Sequence, residues 1–271
     1  MIIFPNCKIN LGLHITGKRN DGYHDLETVF YPIQLNDGLE IIRNNDAVHT
    51  GLTLSGLSIE STTSDNICYK AYTLLKKDYP TLPSLKMHLH KVIPAGAGLG
   101  GGSADGAFTL RLLNKKFNIG LSDRQLIDYA LQLGSDCPFF IINKPAYATG
   151  RGEKLDPVIL DLSDFSIVLI NPGIHINTGW AFSRITASPR NNELKKIIAL
   201  TPTEWKELLY NDFEVPVFEE YPVIRELKEL LYSKGAVYAS MTGSGSTVFG
   251  LFEKPATPPL ELPTHYFMKT I

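Results

Sequence analysis

Cysteine is scarce in this chain. Its three residues, Cys7, Cys68 and Cys137, are odd in number and show no Cys-x-x-Cys spacing. That argues against a disulfide scaffold or a zinc framework and for a reducing compartment. An excess of charge of one sign is missing too: 26 Lys+Arg against 28 Asp+Glu leave a formal net charge of -2. So balanced a chain offers no bulk surface for nucleic acid or lipid headgroups, and neither is expected as a partner. The start, Met1-Ile2-Ile3-Phe4-Pro5, has no basic stretch and no long apolar run. No leader peptide and no membrane span are therefore expected, and the chain reads as cytoplasmic. Internal repeats and low-complexity tracts are lacking as well. What remains is 271 residues, 44% of them hydrophobic, enough for one large or two smaller globular domains with a substantial core.

Glycine, by contrast, is concentrated. Five of the twelve residues in Pro94-Ala95-Gly96-Ala97-Gly98-Leu99-Gly100-Gly101-Gly102-Ser103-Ala104-Asp105 are glycine. A helical pattern follows at once in Ala107, Leu110, Leu113 and Phe117, with Ser103 and Asp105 suited to its cap and first turn. A glycine loop feeding a helix N-terminus leaves backbone N–H groups and the positive dipole end facing one point, which suits an anion such as a nucleotide phosphate. Gly96-x-Gly98-x-x-Gly101 formally matches the dinucleotide fingerprint. However, the strand before it, residues 85–93, alternates apolar and polar, whereas a Rossmann first strand is a continuous apolar run. No Gly-Lys-Ser/Thr follows the glycines, so a Walker loop is excluded. A bare flexible linker is disfavoured, because linkers do not run straight into a capped amphipathic helix.

Residues 7–15 alternate as a strand. Cys7, Ile9, Leu11, Leu13 and Ile15 share one face; Lys8, Asn10, Gly12 and His14 share the other, which reads as solvated. Asp21-Gly22 marks a turn, and Tyr23-His24 after it pairs an aromatic with an imidazole, a combination able to stack a base and bond its edge. Strands are expected at 26–35 and 38–43, and a helix at 66–77 capped by Ser64 or Asp65. Ser122-x-x-Gln125 reads as a capping box for a helix that stops at Gly134. Asp136 then precedes Pro138 and the apolar run Phe139-Phe140-Ile141-Ile142, either as a turn residue or as a general base at a pocket edge. A boundary near 150–163 divides the chain, giving domains 1–155 and 156–271. In the second half Thr178 is a candidate cap for a short helix carrying Trp180 and Phe182, and helices are expected at 203–210 and 222–233. A second glycine loop, Gly243-Ser244-Gly245-Ser246, joins two strands as a phosphate contact, a brace for the first loop or a simple hairpin.

Three of these pieces in order, Pro5-x-x-Lys8-Ile9-Asn10-Leu11, Pro94 to Ala104 and Gly243 to Ser246, resemble the motifs of the kinase superfamily of galactokinase, homoserine kinase, mevalonate kinase and phosphomevalonate kinase. Arg19-x-Asp21-Gly22-Tyr23-His24-x-Leu26, the triple glycine Gly100 to Gly102 and Gly134 to Phe140 resemble its branch acting on a cytidyl-bearing alcohol. The resemblance implies an α/β (α+β) two-domain small-molecule kinase, with an N-terminal domain like ribosomal protein S5 domain 2 and a ferredoxin-like C-terminal domain. It implies ATP and Mg²⁺ as cofactors, a small-molecule cytidyl substrate, and a monomer or weak homodimer. Residue by residue, Lys8 and Asp136 match the catalytic pair. Pro94, Ala95, Gly96, Ala97, Gly98, Leu99, Gly100, Gly101, Gly102, Ser103 and Ala104 match the ATP loop, with Ser103 a candidate Mg²⁺ contact. Asn10 matches a substrate contact, Tyr23 and His24 match cytosine-binding positions, and Phe182 is the second stacking ring. The rival readings are another small-alcohol kinase of the same fold, a non-catalytic nucleotide-binding module, and a dinucleotide oxidoreductase.

Overall fold

A computed structural model describes residues 1–45, 49–59, 62–188, 193–255 and 259–271. Strands Ile2–Ile3, Asn6–Lys18, His24–Asn36, Gly38–Arg43 and Gly51–Gly56 come first. Helix Ile67–Asp78, strand Leu85–Lys91 and helices Gly101–Lys116, Asp123–Leu133 and Cys137–Ile142 follow. The second half holds strands Ala146–Thr149, Lys154–Pro157 and Phe165–Asn171, then helices Thr178–Ser183, Glu193–Ile198, Glu214–Glu220 and Pro222–Ser233. Strands Tyr238–Met241, Val248–Glu253 and Phe267–Thr270 close the order. Two compact units interleave along the chain. One comprises Met1–Cys7, Gln34–Ala95 and Gly100–Lys144; the other comprises Lys8–Ile33, Gly96–Leu99 and Pro145–Ile271.

In the first unit the sheet runs Ile2–Ile3, Gly38–Arg43, Leu85–Lys91, Gly51–Gly56, antiparallel except for the last pair. Helix Gly101–Lys116 packs against this sheet and against the three other helices of the unit, so it is buried almost all round from Ala104 to Leu113. Helix Ile67–Asp78 is capped by Asn66, whose side chain accepts the Cys68 N–H, and not by Ser64 or Asp65. Asn66 directly precedes the first helical residue in extended backbone, which is the capping geometry. The Ser122–Gln125 capping box forms as read.

Strand Leu85–Lys91 buries alternate residues, Leu85, Met87 and Leu89, and the same period turns Lys91 inward. Its ammonium meets the carboxylates of Asp37 and, at 2.8 Å, Asp105, and all three residues are buried. Asp37 also accepts the N–H groups of Val92 and Ile93 at 2.6 and 2.9 Å. One buried cation thus ties together the end of a strand, the entry to the glycine segment and the first turns of the helix leaving it. Asp105 does not serve the helix cap as read from sequence, because the helix starts at Gly101 and Asp105 faces Lys91 from inside it. Burial outweighs the pull of Lys91 and pushes the Asp105 carboxyl up to about 7. Lys91→Ala would leave two carboxylates buried together. It is expected to cost about 3–5 kcal/mol in urea unfolding at mildly alkaline pH, with added Asp105→Asn recovering part of the loss.

In the second unit the antiparallel sheet Tyr238–Met241, Val248–Glu253, Phe165–Asn171, Phe267–Thr270 packs with helices Glu214–Glu220 and Pro222–Ser233 around Ile170, Val217, Ile224, Leu231 and Phe252. Pro222 occupies the first turn of its helix, where its missing N–H costs nothing. The unit's other sheet runs Asn6–Lys18, His24–Asn36, Ala146–Thr149, Lys154–Pro157. The helix expected at 203–210 shrinks to a 3₁₀ turn, Pro202–Glu204, followed by the buried Trp205. Glu193–Ile198 and Glu214–Glu220 go unread in the sequence because each is too short to show a helical period. Among the described residues no helix is long and apolar enough to cross a membrane.

Candidate active site

Lys8 and Asn10 lie side by side on their strand, as the alternation requires, but their face is not solvated. Lys8, Asn10 and His14 are 3%, 2% and 1% exposed. Alternation places residues on a common face; it does not say whether later parts of the chain cover that face. A buried ammonium needs polar partners. Lys8 Nζ donates to Asn10 Oδ1 at 2.6 Å and to the Gly98 carbonyl at 3.1 Å, and lies 5.1 Å from the Phe30 ring centroid. Asn10 is itself held: its Nδ2 donates to the Thr28 hydroxyl at 3.0 Å and its backbone N–H to the Thr242 hydroxyl at 3.0 Å. The Thr242 hydroxyl proton is shared between Asn10 Oδ1 at 3.2 Å and the Gly98 carbonyl at 3.1 Å.

The glycine segment is tethered by alternate residues. Ala97 and Leu99 bury their side chains, while Gly98 and Gly100 take left-handed backbone, with φ of 78° and 70°. Leu99 accepts the Lys8 N–H at 3.0 Å and Ala97 accepts the Thr247 N–H at 3.3 Å. A Cβ on Gly98 would overlap the Thr242 carbonyl oxygen, and one on Gly243 would lie 3.1 Å from the Gly98 Cα. The second glycine loop is therefore a hairpin that also braces the first by direct backbone packing. It is held in turn by Asn211, which donates to the carbonyls of Met241 and Gly243 at 2.8 Å each, and by Glu214, which accepts the Met241 N–H at 2.8 Å.

In the other unit, helix Gly101–Lys116 begins with Gly100 as its N-cap and no side chain capping it. Gly101 sits under Ile93, where a Cβ would come within 2.8 Å, whereas a Cβ on Gly102 would meet nothing within 4 Å. The first-turn N–H groups therefore have no side-chain cap and lie at the positive end of the helix dipole, a combination that suits an anion. Ser103 does not cap either: it lies within the first turn, near the Cys137 thiol, which burial pushes up to about 12. Cys137 is therefore a neutral packing residue. Asp136 is half-buried at the N-cap position of helix Cys137–Ile142, yet its side chain makes no capping bond. Pro138 stands in that helix's first turn, where its missing N–H costs nothing, and the preceding helix has already ended at Gly134. Among the described residues no group of three or more His, Cys, Asp or Glu is placed to hold a metal ion.

The residues expected at a cytosine lie in the second unit. His24 stacks on Phe182 at 4.8 Å and 13°, and Phe182 meets Phe213 edge-on at 4.9 Å. Tyr23 is 55% exposed and carries the Arg151 guanidinium 4.9 Å from its ring centroid. The helix bearing Phe182 is capped by Asn177, whose side chain accepts the Trp180 N–H at 2.9 Å, and not by Thr178. Thr28, Asn211 and Glu214 go unread as site residues in the sequence, since nothing local marks them. Thr242 adjoins the second glycine loop, and its place beside that loop was the available signal.

Residues 66–144 match the GHMP kinases N terminal domain and residues 194–259 the GHMP kinases C terminal domain. A solved mevalonate kinase of Methanococcus jannaschii, 15% identical, has the same fold, with a TM-score of 0.68 over 94% of this chain and 91% of that one. Fold and domains together define a GHMP kinase, a phosphotransferase of mixed α/β architecture. A 4-diphosphocytidyl-2-C-methyl-D-erythritol kinase from Bacteroides fragilis is 54% identical over 253 residues, 93% of this chain and 92% of that protein. A crystal structure of 4-(cytidine 5'-diphospho)-2C-methyl-D-erythritol kinase is 31% identical, with a TM-score of 0.79 over 93% of this chain and 90% of that one. The chain belongs to the 4-diphosphocytidyl-2-C-methyl-D-erythritol kinase family.

Proposed function

We propose that this protein transfers the γ-phosphoryl group of ATP to the tertiary 2-hydroxyl of 4-diphosphocytidyl-2-C-methyl-D-erythritol, a step of the non-mevalonate route to isoprenoid precursors. The observation that carries the reading is Lys8, a buried ammonium bonded at once to Asn10 and to a carbonyl of the glycine segment. Phosphoryl transfer asks little covalent chemistry of a protein; it asks for positioning and for charge aimed at the reacting oxygens. Segment 94–104 would hold the ATP phosphates on backbone N–H groups. Lys8 would steady the charge growing on the attacking oxygen, and Asn10 would orient the hydroxyl. Asp136 would accept the hydroxyl proton as the new P–O bond forms. Tyr23, His24 and Phe182 would hold the cytosine, so that binding energy far from the reacting centre orients it. Magnesium would enter with the nucleotide as counter-ion to its phosphates, with the Ser103 hydroxyl a candidate contact to the metal or to a phosphate. A cytoplasmic site of action is in keeping with three free, buried cysteines.

Purified protein given ATP, Mg²⁺ and the diphosphocytidyl alcohol should yield a product heavier by one phosphate, with no product from homoserine or mevalonate. Turnover of either of those instead, or ATP binding without turnover of any alcohol, overturns the reading.

A further inference from the structure

The turn at Arg151 is built more firmly than its surface position requires. The Gly150 carbonyl accepts the Leu26 N–H at 2.7 Å, which fastens the turn to strand His24–Asn36 just beyond His24. Glu153 folds its carboxylate back onto the turn, accepting the Arg151 backbone N–H at 2.6 Å. Glu153 is thereby spent on backbone, and the Arg151 guanidinium lies over the Tyr23 ring, near enough to Asp21 to help hold that carboxyl below its ordinary value but with no hydrogen bond or close ion pair of its own among the described residues. Arg19, close by in the same unit, is the opposite case: it bonds Asp21 at 3.1 Å and Asp25 at 3.0 Å, so its charge is already answered. A half-buried guanidinium set against an exposed tyrosine, with none of its N–H donors committed among the described residues, offers a planar fork suited to bidentate bonding of phosphate oxygens.

We propose that Arg151 binds the diphosphate of the substrate, so that the Tyr23–His24–Phe182 cluster recognises a pyrimidine nucleoside diphosphate ester as one unit, base on the rings and diphosphate on the guanidinium. The proposal rests on the cytidyl-substrate reading above and adds to it the residue that separates a nucleotide ester from a bare nucleoside. Arg151 bonds spectator phosphates and takes no part in the transfer step.

The test uses the full chain with its ATP site filled by a non-hydrolysable ATP analogue, and titrates in CDP or cytidine by calorimetry. The unaltered protein should bind CDP more tightly than cytidine, with a preference that fades as salt is raised. Arg151→Ala should weaken CDP by about 10–100-fold and leave cytidine unchanged, which removes both the preference and its salt dependence. Arg151→Lys should keep part of the preference, as a point charge without the fork. Tyr23→Ala should weaken both ligands alike. The proposal is overturned if Arg151→Ala weakens CDP and cytidine equally, since the guanidinium would then act only through the Tyr23 ring, or if it changes neither. If the unaltered protein binds ATP but neither CDP nor cytidine, the cytidyl-substrate reading itself falls and this proposal with it.

Discussion

Asp136→Asn should lower kcat by roughly 10²–10⁴-fold while ATP binding survives. An alcohol ionises near pKa 15–16, about where bulk water does, so at neutral pH its proton must leave as the oxygen attacks. A carboxylate can take that proton; an amide of the same shape cannot. The geometry isolates the effect. Asp136 makes no capping bond in helix Cys137–Ile142, and the residues after it, Cys137 to Ile141, are buried apolar packing. Exchanging one oxygen for an amide nitrogen at this half-buried position keeps the side chain's shape and removes no cap from the helix. Steady-state kinetics beside ATP calorimetry separate the two readouts, and turnover like that of the unaltered protein would remove Asp136 from the role of base.

Gly98→Ala should abolish most of the activity, lowering kcat/KM by about 10²-fold or more, and should also lower the melting temperature. Gly98 has a φ of 78°, where an L side chain is strained, and a Cβ there would run into the Thr242 carbonyl, which is backbone and cannot swing away. The segment would have to move, carrying with it the Gly98 carbonyl that receives Lys8 Nζ and the Thr242 hydroxyl. A displacement of about 1 Å in a positioning element is enough for a loss of this size. Gly102→Ala is the control for stability, since its Cβ would enter open space, and it should melt close to the unaltered protein. Equal kinetics for Gly98→Ala and the unaltered chain would show that the packing of the two glycine loops is irrelevant to turnover.

Much of this architecture is legible in the sequence, and the reason differs from element to element. Strands Asn6–Lys18, His24–Asn36 and Leu85–Lys91 show because a period of two survives in residue order. Helix Asp123–Leu133 shows because Ser122 and Gln125 carry their capping chemistry within one turn. The caps misread at Ser64, Ser103 and Thr178 share one cause. Several polar residues in a row can all accept an N–H, and backbone geometry selects among them: Asn66 and Asn177 in two cases, and at the glycine segment Gly100 with no side-chain cap at all.

What the sequence determined by itself is the set of faces, the glycine segment with the helix behind it, and a chain of motifs specific enough to identify a kinase superfamily. All of these depend on spacing over a few residues, and spacing is preserved in writing. Which face is dry and which carboxylate meets which cation were decided only by the tertiary structure. Asn10 is bonded by Thr242 from 232 positions away, Lys91 by Asp37 from 54, and no local pattern records either meeting. The free energy of a buried charge depends on the partners that folding brings to it, as it brings the Gly98 carbonyl to Lys8 and Asp37 to Lys91.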